Sequence, residues 1–388
     1  MVNAPTPVPP SAADTTSAGP PGPTTGHTSR PRLLYIDNLR IWLITLVMLH
    51  HLAITYGRSG PWYYLVPHTP PAATAASLVF VLINQAYFMG LFFGVSAYFT
   101  PGSVDHKGNR QFVRDRALRL GIPLVIFVLV LNPLANLYRK LAEPGAYTLH
   151  SYLTSLGFGP LWFVEVLIIF TAVYLAVRRS RTAPQARNER PRGRALILFG
   201  VGLMVATYLW RFLLPFGGYV PYLDLASAYE LPQYASFFVI GVLAYRRGWL
   251  HNLPSRFGVI GGIVAGGMTV LMAPILAISL SQVSQPGSWQ SAIYALWEQG
   301  FAIGFGLATL VFFRRFVNHQ AAFAAELSRA AFPAYVVHAP VITGVAIALQ
   351  PLGLPIMIGF VLAAVVGIPL TFAIAVAVRR LPGLRRIF

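Results

Sequence analysis

Two adjacent histidines, an arginine and an aspartate sit in a stretch otherwise suited to hydrocarbon, Tyr35-Ile-Asp37-Asn-Leu-Arg40-Ile-Trp-Leu-Ile-Thr-Leu-Val-Met-Leu-His50-His51. An ionisable side chain held at mid-bilayer costs at least ~2.5–3.5 kcal/mol on insertion scales, so one found there marks a functional site. Arg40 and His51 are eleven positions apart, or three helical turns. They therefore share a helix face, with roughly 16 Å between them along the axis. A guanidinium fork grips phosphate or carboxylate, and an imidazole can take a proton from a hydroxyl. Together they describe a site that starts near one membrane surface and reaches toward the other. His50 is rotated by about 100° from His51, off the Arg40 face, and reads as packing or as support for the reacting ring.

Further along, Glu165 enters an apolar segment at a depth matching that of His51, and a carboxylate that orients a histidine is the usual arrangement of a general base. A structural partnership with Arg211 or a tyrosine hydroxyl is the competing reading. In Phe112-Val-Arg-Asp-Arg116-Ala-Leu-Arg119-Leu-Gly-Ile-Pro123, Arg116 and Arg119 are spaced as neighbours on one helical face and suit a phosphate. Charge topology or lipid headgroup contact would explain them equally well on their own. Ser96, Glu298, Gln299 and His338 are further polar residues in apolar surroundings, each fit either to line a cavity or to close a buried hydrogen bond. There is no metal-ligand spacing, glycine-rich phosphate loop or nucleophile elbow. The chain has no cysteine, which removes disulfides, thiolate zinc sites and a cysteine nucleophile.

These residues need elements to position them, and composition says which. Of 388 residues, 56% are hydrophobic and 10% charged, against about 25% charged in soluble proteins. The reading is all-α: a polytopic membrane bundle of about ten helices, spanning about 34–56, 73–99, 120–138, 161–177, 195–214, 231–246, 257–280, 291–313, 330–348 and 355–378. The net charge of +18 would suggest nucleic acid in a soluble protein, but here the basic residues sit in short connections on alternate sides. One side carries nearly all of them, and the other holds only Arg58, Arg139 and Lys140. The positive-inside rule then places both termini in the cytoplasm and leaves no case for nucleic acid. Residues 1–31, rich in Pro, Thr, Ser, Ala and Gly, read as a disordered tail. Residues 32–380 read as the membrane domain and 381–388 as a short basic tail. Gly258, Gly262 and Gly266, and Gly300 and Gly304, have the four-residue spacing of close helix packing.

On these motifs the chain resembles the acyltransferase family 3 membrane acyltransferases, ten-span bacterial enzymes that modify envelope glycans and other acceptors from cytoplasmic acyl-CoA. Their Arg-x10-His motif matches Arg40 and His51, not His50, and their Arg-x-x-Arg motif matches Arg116 and Arg119. Within the family the chain is most similar to the glucan-succinylating branch. That similarity rests on Asp37-Asn-Leu-Arg-Ile-Trp42, Phe92-Phe-Gly-Val-Ser96-Ala-Tyr98, Arg119-Leu-Gly-Ile-Pro123 and Pro160-Leu-Trp162-Phe163, and Tyr335-x-x-His338 also fits the family. Ala97 stands where the family usually has glycine.

The resemblance implies a multi-pass enzyme of the bacterial inner membrane, with acyl-CoA as donor substrate, no permanently bound cofactor and a carbohydrate or other hydroxyl as acceptor. Arg40, Arg116 and Arg119 would hold the CoA phosphates, and His51 would act as general base with Glu165. Asp37, His50, Ser96, Trp162, Glu298 and His338 would touch substrate or support those residues. Direct transfer and a transient acyl-histidine both stay open. The rival is a secondary transporter or flippase for an anionic or carbohydrate-like substrate. Against it, the Asp-Asn-Leu-Arg…His pattern occurs once, with no related half.

Overall fold

A computed structural model describes residue 1 and residues 32–142, 148–178, 189–220, 225, 227–277 and 280–388. Most of the proposed tail and of the basic 178–194 connection lies outside the described residues. The helices are α1 (Leu34–Gly57), α2 (Pro71–Gln85), α3 (Phe88–Tyr98), α4 (Thr100–Arg116), α5 (Ile122–Ile126), α6 (Asn132–Ala142), α7 (Leu149–Thr154) and α8 (Trp162–Arg178). They continue with α9 (Gly193–Trp210), α10 (Leu231–Arg247), α11 (Trp249–Asn252), α12 (Ser255–Ala277), α13 (Leu280–Val283), α14 (Trp289–Phe316), α15 (Ala322–Leu349) and α16 (Ile356–Arg380). Residues Leu34–Phe388 form one compact unit.

Among the described residues nine helices are long and apolar enough to cross a membrane. The 17-residue α10 completes the set expected from the sequence. Helices satisfy their own backbone groups, which is what hydrocarbon demands. The outward faces of α9, α12 and α16 carry exposed Ile197, Leu198, Val201, Val259, Ile263, Met357, Ile358 and Val365, an apolar surface that suits lipid. The chain is an all-α, multi-pass membrane protein.

Helix α1 is central, packed against α2, α3, α14, α15 and α16. Asn38 ties its first turns to the α14–α15 connection, its Nδ2 donating to the carbonyls of Val317 (2.7 Å) and His319 (2.8 Å). Two spans depart from regular helix. The one expected at 73–99 breaks at Ala86–Tyr87, where Tyr87 takes φ −133°, ψ −34°. The Ala86 carbonyl released there accepts from Gln233 Nε2 at 2.8 Å. The span expected at 120–138 is the inner part of a longer run from Thr100 to Leu137 that contains two π turns, Ala117–Gly121 and Phe127–Leu131.

Two close approaches explain particular glycines. Gly241 of α10 lies against the Gly94 carbonyl of α3, where a Cβ would collide with backbone. On α12, the residues facing α14 are Gly258 and Gly261; a Cβ on Gly304 would come 2.7 Å from the Gly261 carbonyl. Gly262 and Gly266, grouped with Gly258 by spacing, have open space around them. The four-residue spacing thus picked the wrong partners for Gly258, because the α12–α14 crossing uses a three-residue step.

Candidate functional site

His51 lies in the fifth turn of α1, half-buried, and three other rings surround it. The Trp62 indole stacks on its imidazole at 3.8 Å between centroids and 12° between planes. His338 lies nearly parallel at 5.4 Å and 23°, and His50 meets it edge-on at 5.4 Å. Trp62 is brought there by the 58–70 connection, which folds back on the end of α1: Val66 N donates to the Thr55 carbonyl (2.9 Å) and Thr69 Oγ1 to that of Tyr56 (3.0 Å). Tyr63 anchors the same connection by a hydrogen bond to Asn132 Oδ1.

His338 comes from the middle of α15 and is fully buried. Its Nδ1 is 2.6 Å from the Tyr335 carbonyl of the preceding turn. A carbonyl only accepts, so Nδ1 carries the hydrogen, and in the neutral ring Nε2 is left as a bare acceptor. Tyr335 is itself pinned, its hydroxyl donating to the Pro160 carbonyl just before α8. The buried His51 Nδ1, His338 Nε2 and Trp62 Nε1 have no hydrogen-bond partner. A buried polar group left unpaired costs about 1–3 kcal/mol. Two of the three belong to histidines whose rings lie nearly parallel to each other, a pattern suited to a polar ligand.

The structure treats the other expected residues differently. His50 supports: buried, it stacks on Phe88 at 5.3 Å and its Nδ1 meets Asn84 Nδ2 at 3.4 Å. Glu165 is in the first turn of α8, half-buried, and the rings beside His51 are those of Trp62, His338 and His50. Trp162 packs on Tyr234 at 5.4 Å. Glu298 belongs to a separate buried cluster. Its Oε2 accepts from Arg211 Nη2 at 2.7 Å and from Gln299 Nε2 at 2.8 Å, and Arg211 also reaches Glu230 Oε1 at 3.4 Å. Arg211 is thus paired by Glu230 and Glu298 rather than Glu165.

At the opposite end of α1, Arg40 lies 3.9 Å from Asp37. Arg116 donates from Nη2 to Thr100 Oγ1 at 3.1 Å, and Thr100 Oγ1 donates to the Ser96 carbonyl at 3.3 Å, linking Ser96 to the arginine. Arg119 is exposed and sits inside the first π turn, whose wider winding moves it off the α-helical i, i+3 register with Arg116. Ion pairs fix this end: Asp105 binds Arg246 and, at 2.6 Å, Arg178, while Glu326 holds Arg329 (2.7 Å) and Arg379 (2.6 Å). The sequence reading missed Trp62 and the Arg211–Glu230 pair. The run Pro61-Trp-Tyr-Tyr64 directly after α1 was the signal for the first.

Residues 33–380 match the family model described as an acyltransferase domain. The chain is similar to the proteins named glucans biosynthesis protein C of Salmonella schwarzengrund (strain CVM19633) and Salmonella typhi. Each is 23% identical over 343 residues, covering 80% of this chain and 82% of the relative. The namesake of Salmonella paratyphi B (strain ATCC BAA-1250 / SPB7) is 24% identical over 346 residues, with the same coverage. No solved structure gives a significant match. A bundle that carries these motifs and matches the family model over residues 33–380 belongs to the acyltransferase domain family, and the chain is a multi-pass membrane acyltransferase.

Proposed function

We propose that this acyltransferase moves an acyl group from cytoplasmic acyl-CoA, through the bundle, to a hydroxyl of an extracytoplasmic carbohydrate, in the bacterial inner membrane. The observation that carries this reading is the pair of histidines with unpartnered ring nitrogens, His338 on α15 facing His51, which shares α1 with Arg40 three turns away. Arg40, Arg116 and Arg119 bind the CoA phosphates, as guanidinium forks do. The pantetheine arm runs along α1 over ~16 Å and presents the thioester at His51. No resident cofactor takes part, and lipid contacts only the outer faces.

His51 takes the proton of the acceptor hydroxyl as its oxygen attacks the thioester carbonyl. The tetrahedral intermediate then expels the CoA thiolate, and the imidazolium returns the proton to sulfur. Glu165, one turn into α8 from the Pro160 carbonyl gripped by Tyr335, supports His51 as the carboxylate of the base pair. The printed name of the Salmonella relatives supports a glucan as acceptor.

The test uses purified protein in nanodiscs with a panel of acyl-CoAs, following CoA thiol release with and without a glucan. Acceptor-dependent release by wild type that disappears in His51→Ala is the expected result. An acyl-CoA bound but not turned over would overturn the glucan assignment. Neither binding nor release with any acyl-CoA would overturn the donor and favour a carrier.

A further inference from the structure

Resting on that reading, we infer that His338 is an acceptor-binding residue, and that the enzyme selects an acceptor with two adjacent hydroxyls, one donating to His51 and its neighbour to His338 Nε2. His338 is fully buried in α15, and the Tyr335 carbonyl, 2.6 Å away, fixes its hydrogen on Nδ1. Nε2 is therefore obliged to accept and has nothing to accept from. The ring cannot turn over to relieve this, because a flip would give up the Tyr335 bond. Tyr335 in turn is held by Pro160.

The missing donor belongs to whatever binds beside His51, whose Nδ1 is likewise buried and unpartnered. The two imidazoles are nearly parallel, with centroids 5.4 Å apart. One hydroxyl oxygen has one hydrogen and can donate to only one of them. Satisfying both takes two hydroxyls on one small rigid frame, which a sugar ring supplies at neighbouring carbons and a simple alcohol does not. The indole N–H of Trp62, whose ring centroid is 6.3 Å from that of His338, adds a donor for a ring or carbonyl oxygen.

The two histidines then have separate tasks. His51 moves the proton, and His338 selects which hydroxyl faces it by gripping the neighbour. A site built to hydrogen-bond a hydroxyl discriminates strongly against an analogue lacking it, because its own buried group is left unpaired.

The experiment measures acyl transfer from the active acyl-CoA to methyl β-glucoside and to its four monodeoxy analogues, by wild type, His338→Asn and His338→Phe. The asparagine amide can still donate to the Tyr335 carbonyl but offers no ring acceptor, which separates folding from recognition. Wild type should lose about ten- to a hundredfold in kcat/KM when the hydroxyl next to the acylated position is removed. Both variants should be slower on the full glucoside and indifferent to that deletion, with acyl-CoA binding unchanged. [15N]Histidine NMR in nanodiscs should show an Nδ1–H tautomer that disappears in His338→Asn. Retained discrimination in the variants, or a wild type indifferent to every deletion, would overturn the assignment of His338 while leaving the transferase intact. A wild type that releases no CoA with glucan or glucoside would overturn the carbohydrate reading and this one with it.

Discussion

At His51 the imidazole is flanked by an indole and a second imidazole, and the carboxylate expected to orient it belongs to α8. The face shared by Arg40 and His51 was legible from helical period alone, because both residues lie on one uninterrupted helix. The contact with His338 was not, since sequence gives depth and no register across a separation of 287 positions. The arginines at the other end behave similarly: Arg116 is anchored by Thr100, while Arg119 is exposed. Replacing both with alanine should weaken acyl-CoA binding at least tenfold, measured by calorimetry in nanodiscs. Lysines at both positions should restore only part of it, because an ammonium cannot form the two-pronged phosphate bond. Unchanged affinity in the alanine pair would move the CoA site elsewhere.

Between elements, glycine decides how closely backbones approach. A valine at Gly241 would drive its Cβ into the Gly94 carbonyl of α3, which cannot yield as a flexible side chain can. Gly241→Val should therefore destabilise the bundle by about 1–3 kcal/mol or more, read as a lowered thermal midpoint in detergent. Gly262→Val, on an open face of the next long span, should leave the midpoint nearly unmoved. Spacing announced that α12 and α14 would pack closely but mistook which glycines do it. The π turns in the 100–137 run had no sequence signal, since residues 120–131 are apolar on every side and offer no periodic face that a shift could disturb. The break at Ala86–Tyr87 was hidden for a related reason: the glutamine that satisfies its carbonyl comes from α10.

For the molecule as a whole, the number and order of spans could be read from hydropathy and arginine asymmetry, because both follow from the bilayer rather than from neighbours. The buried Arg211–Glu230–Glu298 cluster could not, since it joins three segments distant in sequence. It ties α9, the start of α10 and α14 together inside the bundle. Arg211→Met should leave two uncompensated carboxylates and cost about 3–5 kcal/mol. Adding Glu230→Gln and Glu298→Gln should recover most of that loss. The comparison needs only the yield and thermal midpoint of the two variants. Equal midpoints for the single and triple variants would show that the cluster contributes no net charge pairing.

The stacking of Trp62 on His51 has a consequence for the donor. A thioester waiting beside a competent base is also open to attack by water, and each such event would discard an activated acyl group. With an indole laid over the imidazole at 3.8 Å, the 58–70 connection covers one face of that base. On the proposed reading, one aromatic side chain thereby limits wasteful hydrolysis of the donor.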